Sequence, residues 1–163
     1  MIAASLKDAD ALVDFLLVKG ADVNMKTNNG QVALHFTASK SNLDTARKLI
    51  AHKATARVKD KRGQLPLHRA AAVGHVPMVK LMLENKSPVN ATDMDGSTAL
   101  HHAIAEGHGD AALVLLKAGA ETGKQDSRGA LAIDLAPDAK VRGYIERAAE
   151  EEGIDLTPVD AVS

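Results

Sequence analysis

Glycine stands at positions 30, 63, 96 and 129, each 33 residues after the last. On the same step a Leu-His pair occurs at Leu34-His35, Leu67-His68 and Leu100-His101, and becomes Ile133-Asp134 at the fourth turn of the pattern. A fixed period of this length rules out one irregular globular core. Each period has to be a supersecondary unit that buries its apolar face on its neighbours. The best-formed copy is KDKRGQLPLHRAAAVG, residues 59–74. Asp60 opens a tight turn and Gly63 supplies the positive φ that such a turn needs. Pro66 stands where a first helical turn begins, where a missing N–H costs nothing. Leu67, Ala70 and Ala71 form a narrow apolar face, and Gly74 suits the left-handed helix cap.

The boxes that carry the histidines are VALH (32–35), LPLH (65–68), TALH (98–101) and a decayed LAID (131–134). Three such boxes in step with four glycines form the ankyrin signature. The expected fold is all-α: an ankyrin-repeat solenoid of about five repeats, each a hairpin finger followed by helix-turn-helix. It forms a single domain over residues 1–153. Residues 1–26 resemble most of a repeat that lacks its hairpin. Ile2-Ala3-Ala4 would end a first helix, and residues 11–17 would form a second. With no capping repeat ahead of it, the chain reads as a piece of a longer protein. Full repeats are expected at 27–59, 60–92 and 93–125, with helices near 34–40, 44–52, 67–73, 77–85, 100–106 and 110–118. Residues 126–153 read as a C-terminal cap. Pro137 cuts its first helix short. A charged helix over 138–152 then places Val141, Tyr144, Ile145 and Ala148 at helical spacing. Residues 154–163 are expected to be a disordered tail.

Composition narrows the function classes. Net charge is −1, so no global field argues for nucleic acid or an acidic membrane. With one Tyr, two Phe and no Trp, there is no stacking platform for single-stranded nucleic acid. The absence of cysteine removes disulfides, thiol catalysis and cysteine-based zinc sites. No apolar run has the length of a membrane span, and a cytoplasmic and nuclear location is expected. There is no Gly-rich phosphate loop and no nucleophile elbow. No cofactor, metal or enzymatic activity is expected. His35, His68 and His101 recur at one position per repeat, so repeat geometry demands them. Their expected role is a hydrogen bond to the backbone of a neighbouring turn. His75 and His108 are read as structural turn residues, and Asp93 and Asp95 as solvated fingertips.

What remains is surface. Fingertips and outward positions of first helices should line a concave protein-binding face. Its first tier holds Asn28, Asn29, Gln31, Phe36 and Lys40. The second holds Lys61, Arg62, Gln64 and Arg69. The third holds Met94, Asp95, Ser97, His102 and Glu106, and Arg128 follows. Phe36 and Met94 are expected to be exposed apolar residues. Lys59, Lys61, Arg62 and Arg69 make a basic band beside an acidic one of Asp93, Asp95 and Glu106, which would suit a partner with complementary bands.

Two stretches carry a narrower likeness. KDKRGQLPLHRAAAVG (59–74) and HAIAEGHGDAA (102–112), together with the early-stopping last repeat, resemble the gankyrin-like proteasome assembly chaperones, in their yeast-type form. The resemblance implies a monomer that binds the C-terminal domain of a proteasomal AAA+ ATPase subunit through the concave face and chaperones assembly of the regulatory particle. The retinoblastoma-binding Leu-x-Cys-x-Glu motif of the animal proteins is replaced here by residues 102–106, so that partner does not carry over. An ankyrin inhibitor that sequesters a kinase or transcription factor is the alternative.

Overall fold

The computed structural model describes residues 10–156. Eight α-helices and one short 3-10 helix follow each other in it. They are α1 (Asp10–Val18), α2 (Ala33–Ser39), α3 (Leu43–Ala51), α4 (Pro66–Val73), α5 (Val76–Glu84), α6 (Ala99–Ala105), α7 (Gly109–Lys117), the 3-10 turn Ala132–Leu135 and α8 (Ala139–Glu151). The first helices α2, α4, α6 and the 3-10 turn stack in one layer, and α1, α3, α5, α7 and α8 stack in a second. This is an all-α ankyrin solenoid. The helices expected within the described residues are present, most displaced by one residue because the caps, not the apolar residues, set their ends.

The core is continuous along the stack. First helices contribute Leu34, Leu67 and Leu100 with Ala38, Ala70, Ala71 and Ala103, all buried. Alanine lets neighbouring backbones approach closely, while each leucine is worth about 2 kcal/mol of burial. Second helices contribute Leu49, Met78, Met82, Leu115 and Ile145. Pro66 begins α4 and Gly74 ends it at φ 78°, as its sequence requires. At the position 33 residues before Gly74, just past the end of α2, stands Ser41, at φ 56°. Lys53 and Lys86 hold φ 71° and 65° at the exit positions that Gly20 and Gly119 occupy in other repeats.

The last repeat closes the stack through a fitted contact. Tyr144 of α8 lies over Gly109, where an added Cβ would meet its ring at 2.5 Å. Its hydroxyl donates to the Asp110 carboxylate. This explains the unusual Gly109-Asp110 start of α7: the glycine admits the ring and the aspartate receives the hydroxyl. Pro137 follows the 3-10 turn and ends it, as expected. The ordered chain runs past the expected boundary. Ile154 and Leu156 are half-buried and pack on the core, and Thr122 Oγ1 donates to the Asp155 carbonyl. The remainder of the tail at 157–163, and Ile2-Ala3-Ala4, lie outside the described residues.

An asparagine staple ties neighbouring repeats together where the chain leaves their second helices. Asn24 donates to the Lys53 carbonyl and accepts from the Thr55 amide. Asn90 repeats both bonds, to the Gly119 carbonyl and from the Glu121 amide. At the seam between them, Arg57 takes the asparagine's place and Pro88, which has no N–H, takes that of the donating amide.

Candidate protein-binding surface

Each of the last three fingers is built on an aspartate. Asp60 Oδ1 accepts from the Arg62 and Gln64 amides, both at 2.9 Å. Asp93 does the same for Asp95 and Ser97, and Asp126 for Arg128 and Ala130. The second oxygen takes a cation or donor: Arg69 Nη2 on Asp60 at 3.0 Å, His102 Nε2 on Asp93 at 2.8 Å, Arg128 Nη2 on Asp126 at 3.2 Å. All three carboxylates are buried. Burial alone would raise the Asp60 and Asp93 carboxyls, but the amide and side-chain bonds outweigh it and hold both below the ordinary value. At the first finger Thr27 stands in the aspartate's place and its hydroxyl accepts only from the Gln31 amide.

Neighbouring fingers are laced by a one-way backbone ladder. The Lys61 amide donates to Asn29, Met94 to Arg62 and Ser127 to Asp95, at 2.9–3.0 Å. The histidines lace the layer beneath. Nδ1 of His35, His68 and His101 accepts from the amide three residues earlier, at Val32, Leu65 and Thr98. Nε2 donates forward, from His35 and His101 to the carbonyls of Gln64 and Ala130 in the next repeat and from His68 to the Ala91 carbonyl at the end of its own. These bonds fix the neutral Nε2–H tautomer. Burial lowers the pKa of all three, that of His68 to about 4. At the fourth box Asp134 Oδ2 accepts from the Leu131 amide. It keeps the backward bond, and among the described residues no further repeat takes a forward one.

A family model described as ankyrin repeats (3 copies) matches residues 1–93 and 54–126. The chain belongs to the ankyrin-repeat family. No curated protein matches it. Ankyrin repeats are protein-interaction modules, so the chain is a protein-binding one. Among the described residues, no helix is long and apolar enough to cross a membrane.

On the ankyrin face, the residues expected to bind a partner fall into three rows. The fingertips Asn28, Asn29, Lys61, Arg62, Met94, Asp95 and Arg128 are exposed, Met94 at 76%. The helix ends Lys40 and Glu106 are exposed too, with Val73 between them at 42%. The middle row differs from expectation. Phe36 is half-buried rather than exposed, because its position lies in the trough between finger and helix end. Arg69 and His102 hold the same position one and two repeats later, and are committed to Asp60 and Asp93. Asp93 is 8% exposed and is not a solvated fingertip. Gln31, Gln64 and Ser97 are half-buried at the finger bases. Lys59 donates to the Thr92 carbonyl. The bands therefore shrink to Lys61 and Arg62 on one side and Asp95 and Glu106 on the other. The clue missed in the sequence is the aspartate three residues before each of the last three glycines.

Proposed function

We propose that this ankyrin module takes the C-terminal domain of a proteasomal AAA+ ATPase subunit on its finger face and chaperones assembly of the proteasome regulatory particle, without catalysis. One observation carries the reading beyond the sequence likeness of residues 59–74 and 102–112. Among the described residues, the side chains of Lys61, Arg62, Asp95 and Glu106 make no ion pair, while Arg69, Asp93 and Asp126 beside them are paired internally. Charges left without an internal partner on adjacent fingers suit a partner that presents acidic and basic segments side by side. Exposed charges contribute little to fold stability, so the two roles separate by mutation.

Changing Lys61 and Arg62 together to Glu should leave the melting temperature nearly unchanged. Calorimetric titration with a purified ATPase C-terminal domain should show binding weakened tenfold or more, about 1.4 kcal/mol. The control is the same change at Arg47 and Lys80, exposed on second helices α3 and α5. Equal weakening by the control would remove the finger face from the reading. Recovery of a kinase or transcription factor from extract, with no proteasome subunit, would favour the inhibitor alternative.

A further inference from the structure

Arg69 and His102 occupy the same position in successive repeats, 33 residues apart. Each reaches the second oxygen of the aspartate that organises the finger of its own repeat. That aspartate's first oxygen already holds two finger amides. The side chain on the second oxygen therefore sets how firmly the carboxylate, and with it the fingertip, is held. One repeat uses a guanidinium, which is charged at every accessible pH. The next uses an imidazole, the side chain whose charge changes between about pH 5 and 8.

We propose that Arg69 and His102 are positioning residues for the binding face, and that His102 makes the 93–97 finger proton-responsive while the 60–64 finger is held constantly. The surroundings of His102 support this. Its side chain is a quarter exposed, so protons reach it, whereas the Asp93 side chain is 2% exposed. The His68 ring stands edge-on to it, with centroids 5.6 Å apart. Burial lowers the His68 pKa to about 4 and its Nδ1 accepts from the Leu65 amide, so His68 stays neutral and leaves the added charge to Asp93. The other titratable groups near the pair are His101, the preceding residue, Glu106 one turn on, Lys59, which acts on His68, and Asp126, which acts on His101. A neutral His102 still donates one hydrogen bond. A protonated one adds the ion pair and strengthens the hold on Asp93. The fingertip that responds carries Met94 and Asp95. The link to partner binding rests on the finger-face reading above. The link to finger order does not.

The test begins on the free chain. Amide exchange of Asp95 and Ser97, divided by that of Arg62 and Gln64 and corrected for intrinsic rates, is followed from pH 5.5 to 8. Protection of the 93–97 finger should fall threefold or more relative to its neighbour as pH rises. His102→Arg should flatten the ratio, and Arg69→His should transfer the dependence to the 60–64 finger. If His102→Arg does not fold, His102→Gln keeps a donor without a titration and should flatten the ratio too. A flat ratio in the unaltered chain overturns the proposal, as does a slope that survives both substitutions. In a second arm, affinity for the ATPase C-terminal domain should follow the same pH curve and lose it in His102→Arg. Exchange that titrates without any binding would retain the latch and discard the partner.

Discussion

Gly63 and Gly129 occupy the same place in two fingers and have nearly the same backbone, φ 74° and 80°. Only their surroundings differ. A Cβ on Gly63 would lie 3.1 Å from Asp93 Cα and from the Met94 nitrogen, both backbone atoms of the next finger, whereas one on Gly129 would meet nothing within 4 Å. Replacing either by Ala places a side chain in the left-handed region, at a cost of about 1–2 kcal/mol. Lower entropy of the unfolded chain returns about 0.4–1 kcal/mol of that. At Gly63 the next finger must also shift. That strains or breaks the ladder bond from the Met94 amide to the Arg62 carbonyl, now 3.0 Å, worth about 1 kcal/mol. Overpacking adds about 1–3 kcal/mol. Gly63→Ala should therefore cost about 3 kcal/mol or more, and Gly129→Ala about 1 kcal/mol or less. Urea unfolding followed by circular dichroism, with exchange at individual amides to detect partial unfolding, measures both. Equal costs would show that the turn conformation alone demands these glycines and that the close approach of fingers is unimportant.

His68→Ala should lower stability by about 3 kcal/mol in chemical denaturation, since it strands the buried Leu65 amide and leaves the Ala91 carbonyl without its partner. The unaltered chain should lose stability as pH falls from about 6.5 toward 4. In that window His68 is neutral when folded and protonated when unfolded, so the unfolded state takes up more protons, a loss on the order of 3 kcal/mol. Asp60 and Asp93, whose pKa values lie below normal, extend the loss to lower pH. His68→Ala should flatten the pH 4–6.5 part of a melting-temperature profile. Lys86→Gly should raise stability by up to about 1 kcal/mol in thermal melts, because the left-handed exit strains a side chain there. Gly109→Val should displace Tyr144 and speed amide exchange in α8 more than in α4.

The repeats were legible because length, box and glycine all kept one step, and no tertiary knowledge is needed to read a period. Both roles of the histidines are compressed into one residue per box, so their recurrence pointed to structure rather than chemistry. The binding face was read less well. Arg69 and His102 were placed outward by helical position, which is right for the Cα, but their side chains fold back onto an aspartate nine residues earlier. Sequence spacing does not show which way a long side chain turns when a buried carboxylate lies within reach. The Tyr144 contact was invisible for a related reason. Gly109-Asp110 and Tyr144 are 34 residues apart for the hydroxyl bond, and neither carries a repeat motif that would announce the other.

The asparagine staples bear on how the stack deforms. Asn24 and Asn90 stitch their seams where the chain leaves the second helices, while the seam at Arg57 and Pro88 lacks that staple and is tied by the Lys61–Asn29 ladder bond and His35. Of these seams, the one at Asn90 carries a staple as well as a ladder bond, from Met94 to Arg62, while the one at Arg57 and Pro88 carries the ladder bond from Lys61 to Asn29 and no staple. Bending strain from a partner that presses on the fingers would collect at the Arg57–Pro88 seam, changing the distance between Asn29 and Arg62 first. The spacing of the first two fingertips is then the adjustable dimension of this surface, and the spacing of the second and third its fixed gauge.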